Sequence, residues 1–310
     1  MLSFLIKSFI KAVVTLFVVV TVVFFATRLS GNAIDFIAGD GLDAQSRAEL
    51  ITYYGLREDM ATQYWRYLRG IAGGEFGISL IERRPVTTIF FERLGPTLKL
   101  VGGAILVTLA LAIPAGIYAA VRRKQAAAKA MMTLAFVGYA TPNFVLATVL
   151  LLIFSYWLQL LPSAGNSTWA HYLMPVGALS MMYLAALMRY TRNATLDVLG
   201  QDYLRTARAK GLSGREVIVC HALRNTLITV LSVVGLMVTG LVSSGAVVIE
   251  SIFSWRGIGD LLVNAAIRRD YPVLQFGVLA VAVAVVVINT LVDMAYAFVD
   301  PRVRLGAQIS

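Results

Sequence analysis

The stretch Val273-Leu-Gln-Phe-Gly-Val-Leu-Ala-Val-Ala-Val-Ala-Val-Val-Val-Ile-Asn-Thr-Leu-Val-Asp-Met-Ala-Tyr-Ala-Phe-Val299 contains a single charged residue, Asp293. A helix needs about 20 mostly apolar residues to cross the hydrocarbon core of a bilayer, and this run exceeds that length. Outward from it, five more stretches meet the same test: Phe9–Thr27, Thr97–Val121, Ala130–Leu158, Tyr172–Tyr190 and Thr226–Ile249. Ala130–Leu158 is long enough to tilt or to end in an interfacial turn. The expected fold is an all-α polytopic membrane protein with six transmembrane helices.

Composition agrees. The 310 residues are 58% hydrophobic and 14% charged, with a mean hydropathy of +0.76. A soluble domain carries about 25% charged residues, so this chain has more apolar surface than one soluble core can bury. The one cysteine, Cys220, excludes an internal disulfide framework, a Cys-rich zinc site and an iron–sulfur cluster. His171 and His221 lie far apart and form no metal cluster with it. No cofactor is expected.

The net charge of +10 invites a nucleic-acid reading until the charges are sorted by side. With a cytoplasmic N-terminus, the inner side holds Lys7, Lys11, Arg122, Arg123, Lys124, Lys129, Arg189, Arg192, Arg205, Arg208, Lys210, Arg215, Arg224, Arg302 and Arg304. Those are fifteen of the 27 bases, against five of the 17 acids (Asp197, Asp202, Glu216, Asp293 and Asp300); the remaining bases and acids cancel on the outer side. An excess of Lys and Arg on the cytoplasmic side is the positive-inside pattern. It accounts for the charge through membrane topology and lipid, without nucleic acid, and places both termini in the cytoplasm. The first span has a basic start, as a signal peptide does, but its apolar run is long. No small-x-small cleavage site follows in Ala26-Thr27-Arg28-Leu29-Ser30.

Three regions follow: an N-terminal transmembrane helix over 1–28, an extracytoplasmic cap over 29–96, and a transmembrane core over 97–310 with a cytoplasmic loop at 192–223. The cap has mixed charge and two helix-like stretches, Gln45–Tyr54 and Met60–Leu68, broken by Gly70, Gly73, Gly74 and Gly77.

The cytoplasmic loop holds the strongest local signals. In Gln201-Asp-Tyr-Leu-Arg-Thr-Ala-Arg-Ala-Lys-Gly211-Leu-Ser-Gly-Arg-Glu216, Asp202 suits a helix N-cap. Arg208 and Lys210 complement the helix dipole in the last turn, and Gly211 suits the left-handed position that ends a helix. Ser213-Gly-Arg-Glu216 then matches the S-x-x-E capping box that opens a second helix. Two readings are open for such a rigid basic segment: a lever that docks a cytoplasmic partner, or an interfacial helix lying on anionic headgroups.

Tyr203-Leu-Arg-Thr-Ala-Arg-Ala-Lys-Gly-Leu212 and His221-Ala-Leu-Arg-Asn225 closely resemble the cytoplasmic signature of ATP-binding-cassette importer permeases, in the dipeptide/oligopeptide/nickel branch. Further matches run along the chain: Tyr54-Gly-Leu56, Gln63-Tyr64, Phe76-Gly-Ile-Ser79, Arg84-Pro-Val86, Pro96-Thr-Leu98, Thr141-Pro-Asn-Phe144, Leu161-Pro162, Glu250-Ser-Ile-Phe-Ser-Trp-Arg-Gly-Ile-Gly259, Asp270-Tyr-Pro272 and Asp300-Pro301-Arg302. There are departures. Arg205-Thr-Ala207 stands where the broader signature has Glu-Ala-Ala, and Thr229 stands near a position that is often proline. Gly31-Asn32-Ala33 replaces a Pro-Gly-Asp-Pro-like turn, and Cys220 occupies a position where a base is frequent.

The resemblance implies that Tyr203, Leu204, Arg205, Thr206, Ala207, Arg208, Ala209, Lys210, Gly211 and Leu212 form the coupling helix that sits in a groove of an ATPase subunit. It also implies a second, homologous permease, two cytoplasmic ATPases and an extracytoplasmic substrate-binding protein. The expected cargo is a di- or oligopeptide, with opine-like or sugar-containing compounds and nickel as alternatives, crossing a bacterial inner membrane.

The remaining candidates are structural or catalytic. Pro114 and Pro142 lie within spans and bend helices, either as fixed shape or as a hinge. Gly102, Gly103, Gly235, Gly240 and Gly245 permit close helix packing. Asp293 is the one acid inside an expected span, near its inner end, and intramembrane acids are candidates for function. There is no nucleophile–base pair, no phosphate-binding loop and no H-E-x-x-H motif, so this chain is not expected to be an enzyme. The rival class is a stand-alone secondary transporter or channel, which calls for ionisable or broken-helix ion sites at mid-membrane.

Overall fold

The computed structural model describes residues 2–30, 44–53, 58–242 and 246–299. Among these residues the protein is helical, and one isolated antiparallel bridge joins Ile78 to Pro85. The helices in chain order are α1 (Leu2–Leu29), α2 (Ala44–Tyr53), α3 (Met60–Gly73), α4 (Val86–Val121), α5 (Ala126–Ala140) and α6 (Asn143–Leu150), which runs on as a π-helix over Leu151–Trp157. Next come α7 (Ala170–Leu199), α8 (Asp202–Ala209), the short α9 (Gly214–Glu216) leading into a π-helical stretch over Val217–Ala222, and α10 (Leu223–Gly240). The last three are α11 (Ala246–Ile252), α12 (Ile258–Ile267) and α13 (Tyr271–Val299).

Among the described residues four helices are long and apolar enough to cross a membrane, over Ser8–Leu29, Val86–Val121, Ala170–Leu199 and Tyr271–Ala295. The expected third span is not one rod. It divides into α5 and a second helical run over Asn143–Trp157, bent by 103° from each other. The cause is Pro142. The residue before a proline is pushed out of the helical region, and Thr141 is extended (φ −84°, ψ 121°). The bend falls at one of the two prolines expected to bend a span, and it divides the stretch more sharply than the tilt or end-turn its length allowed. Pro96, Pro114 and Pro175 sit within continuous helices. The expected fifth span is covered by α10 and α11, with residues 243–245 between them outside the described set.

The chain forms two compact units, Met1–Gly95 with Gly257–Val286, and Pro96–Arg256 with Val287–Ser310. In the first unit, α3 begins at the capping residue Asp59, whose side chain accepts from Thr62 N–H at 3.1 Å, and ends at the left-handed Gly74 (φ 77°). It is attached to α1 by aromatic contact, with Phe24 lying 5.2 Å from Tyr64 and 5.4 Å from Tyr67. Val86, Ile89 and Phe90 of α4 pack with Ile258, Leu261, Val273 and Phe276. The expected helices over Gln45–Tyr54 and Met60–Leu68 correspond to α2, with Tyr54 outside the described residues, and α3, which continues through Gly70 to Gly73. Helix α4 starts before the expected Thr97.

The second unit is organised around α7, whose Met174, Ala178, Leu179, Ala185, Leu187 and Met188 are buried with Leu100 and Ala104 of α4, Ala135 of α5, Ala147 of α6 and Met237 of α10. In its apolar window α7 has 44% of residues buried, against 11% for α1. Helix α1 instead leaves Phe9, Val13, Phe17 and Val22 exposed, an arrangement stable in lipid and unstable in water.

Small residues set the spacing around α7. A Cβ on Gly116 of α4 would lie 2.6 Å from Thr191 Cβ and 2.7 Å from Met188 O. Of the glycines expected to allow close packing, a Cβ on Gly103 would lie 3.2 Å from Val176 and one on Gly240 would lie 3.0 Å from Tyr183 Oη, while Gly102 has open space; Gly245 lies outside the described residues.

Candidate functional site

Helix α8 follows α7 after a two-residue step, Gly200 and Gln201, and presents two chemically distinct faces. Leu204 and Ala207, three residues apart on one face, are buried with Val217 and Ala222, against Val198 and Leu199. Tyr203, Arg205, Thr206, Ala209, Lys210, Gly211 and Leu212 are exposed. The segment is thus held by its own apolar seam, and its opposite side is exposed. The i, i+3 spacing of Leu204 and Ala207 was the sequence signal for this division.

The local rules of helix termination are visible in detail. Gly211 is left-handed (φ 86°), and Leu212 N–H reaches back to Ala207 O at 3.4 Å. This is the six-to-one bond of a Schellman ending. A Cβ on Gly211 would meet nothing within 4 Å, so glycine is required there for its backbone angle and not for space. Ser213 and Glu216 form a complete capping box: Ser213 Oγ accepts from Glu216 N–H (3.3 Å), and Glu216 Oε2 accepts from Ser213 N–H (2.8 Å). Hydrogen bonding to Ser213 holds the Glu216 carboxyl below its ordinary range. Asp202 departs from expectation. It is the first helical residue, and its carboxylate lies 3.4 Å from Arg205 on the exposed surface.

A contact the sequence did not announce joins the two ends of the loop. Asn225 Nδ2 donates to Tyr203 Oη at 2.6 Å, linking the first turn of α8 to the first turn of α10. Between them the backbone is π-helical over Val217–Ala222, with Cys220 and His221 exposed.

Two polar nodes bring together distant signature segments. In the first unit Ser79 Oγ donates to Asp270 Oδ2, and Leu80 N–H donates to Asp270 Oδ1 at 3.1 Å. Burial pushes the Asp270 carboxyl up, opposed by these bonds. In the second unit Thr97 Oγ1 donates to the buried Glu250 at 2.7 Å, and Trp255 Nε1 donates to Pro96 O at 3.1 Å. Glu250, one of the acids that the charge balance leaves to the outer side, is fully buried, whereas Asp293, the acid within the last span, is exposed on α13. His171, in the first turn of α7, holds the chain just before the helix, its Nδ1 accepting from Thr168 N–H at 3.2 Å. The terminal Asp300-Pro301-Arg302, with Gly31-Asn32-Ala33 and Tyr54-Gly-Leu56, lies outside the described residues.

Residues 112–305 match the model for the binding-protein-dependent transport system inner membrane component, and residues 1–101 match that of the N-terminal region of such components. The chain belongs to this family of ABC-importer permeases, all-α polytopic membrane subunits that are the non-catalytic transport component. It is 38% identical over 305 residues to the glutathione transport system permease protein GsiC of Salmonella paratyphi A (strain ATCC 9150 / SARB42), covering 98% of this chain and 99% of that one. Identity and coverage are the same for GsiC of Escherichia coli (strain K12). In fold it is similar to a chain of the MetNI methionine ABC transporter in an inward-facing conformation (TM-score 0.59, 15% identity, 70% of this chain and 98% of that one). A second structural neighbour is an amino acid ABC transporter crystallised with histidines (TM-score 0.52, 16% identity, 68% and 94%). Family membership implies ATPase subunits, a substrate-binding protein and a multi-pass inner-membrane location. It also removes the stand-alone carrier or channel as an alternative.

Proposed function

We propose that this permease receives the work of its ATPase through Tyr203–Leu212 and carries a small peptide, glutathione or a compound like it, to the cytoplasm. The observation that carries the coupling reading is the two-faced α8: Leu204 and Ala207 anchor it, and the opposite face ends in Tyr203 and Leu212, which are 42% and 37% exposed. Exposed apolar groups beside Arg205 and Lys210 suit a protein groove better than water. The names of the GsiC relatives support glutathione, itself a tripeptide, as the cargo class.

In this reading both termini and 192–223 face the cytoplasm, 1–28 is a separate transmembrane helix, 29–96 an extracytoplasmic cap and 97–310 the core. A second, related permease completes a heterodimer. ATP binding closes the ATPase pair, α8 moves with it, and the spans exchange inward- and outward-facing arrangements; this chain supplies contacts that differ between the two states.

Gly211→Val tests the proposal. A β-branched residue resists the left-handed angle, so uptake of labelled glutathione by the assembled complex is expected to fall to background with the subunit still in the membrane. Gly211→Asn, which tolerates that angle, is expected to retain most uptake. Normal transport by Gly211→Val would exclude the docking role.

A further inference from the structure

A cavity of about 240 Å³ lies between the inner-loop end of α4, the first turn of α5 and the last third of α7, lined by Ala119, Arg123, Ala128, Lys129, Met132 and Arg192. Three of the six lining residues are cations. Among the described residues none of the three has a carboxylate within ion-pair distance. The Nε of Arg192 is buried without a hydrogen-bond partner, while its Nη1 makes one long bond, 3.4 Å, to Asn193 Oδ1. A buried charged donor left unpaired is costly, and an anion in the cavity would satisfy it.

The backbone adds to the same field. Ala128 belongs to the first turn of α5, whose positive dipole end is not closed by its own cap: Gln125 makes no capping bond and instead accepts from Tyr118 Oη at 3.0 Å. The orphan N–H groups of a first turn favour anions. The nearby Arg189 is engaged elsewhere, its guanidinium 4.7 Å from the centre of the Tyr139 ring. With a water occupying about 30 Å³, the cavity has room for a compact oxyanion and several waters.

We infer that Arg123, Lys129 and Arg192 form a binding pocket for a phosphate group, supplied by an anionic phospholipid headgroup or by free phosphate. Three convergent cations and a helix N-terminus are the donor set a phosphate needs. Basic pockets between helices at the cytoplasmic side hold such headgroups, and the orientation proposed above puts this end of the bundle there. Binding itself is independent of that orientation and of the cargo.

The test uses the assembled transporter in nanodiscs of phosphatidylcholine with increasing phosphatidylglycerol, reading retained lipid by native mass spectrometry and thermal stability in parallel. Saturable retention of phosphatidylglycerol is expected. It should weaken about tenfold in Arg192→Gln and in Lys129→Gln, the loss of one charged donor each, and remain unchanged in Arg189→Gln. Arg192→Lys keeps the charge but removes Nε–H, and an intermediate loss is expected. Competition by inorganic phosphate, with the same dependence on these residues, would identify free phosphate as the ligand; no competition would identify the lipid. If Arg192→Gln fails to assemble, Lys129→Gln, on an exposed first turn, carries the same measurement. Retention of both phosphatidylglycerol and phosphate unaltered by any of these substitutions would overturn the pocket.

Discussion

The amide of Asn225 donates to the hydroxyl of Tyr203 at 2.6 Å, across 22 residues of chain. The bond closes a loop made of α8, the capping box and the π-helical stretch, and ties the first turn of α8 to the first turn of α10. Coupling between two elements needs a contiguous physical link, and under the function proposed above this bond is one such link between α8 and α10.

Tyr203→Phe and Asn225→Ala are therefore expected to be non-additive. Each should lower the thermal stability of the assembled subunit, and the double variant should cost less than the sum by about 0.5–1.5 kcal/mol, the worth of one hydrogen bond. Additive losses would show that the two groups act separately.

Asp270 governs a pH dependence in the first unit. Burial raises its carboxyl above the usual range of about 3.9, so the folded protein holds that proton more tightly than the unfolded chain does. The associated stability is complete below the ordinary aspartate range and is lost as pH rises through the folded value. Asp270→Asn should abolish this dependence while keeping an acceptor for Leu80 N–H. Asp270→Ala should cost about 1–3 kcal/mol by leaving the Ser79 O–H and the Leu80 N–H without the acceptor they share. Thermal unfolding across pH separates the two variants, and equal losses in both would refute this account.

Gly116 lies against the main chain of α7 with no room for a side chain. Gly116→Ala places a methyl against Thr191 Cβ and the Met188 carbonyl, and one of these is main chain and cannot rotate away. A loss of about 1–3 kcal/mol is expected, read as a lowered unfolding temperature. Gly102→Ala, in open space, should change little. Equal tolerance at both positions would mean that α4 and α7 do not cross as closely as described.

Topology has its own test. Ser213→Cys in a Cys220→Ala background should react with a membrane-permeant thiol reagent and resist an impermeant one added outside intact cells. Labelling from outside would invert the orientation.

What the sequence determined by itself is what depends on neighbours a few residues apart. The apolar runs, the capping box of Ser213 and Glu216, and the left-handed stop at Gly211 were all legible, because a helix end satisfies its N–H and C=O groups within one turn. The family resemblance was legible for a related reason: its motifs are short and keep their order. Tertiary structure decided how those motifs meet. Phe76-Gly-Ile-Ser79 and Asp270-Tyr-Pro272 share one node across 191 residues, and Pro96 meets Trp255 across 159. No local rule ranks such partners, because a buried carboxylate or indole N–H can be satisfied by any donor or acceptor the fold brings near. The same holds at Pro142, where sequence announced a bend but only packing set it at 103°. It holds again for Arg123, Lys129 and Arg192, which read along the chain as ordinary inner-loop charges and become a site because α4, α5 and α7 end around one cavity.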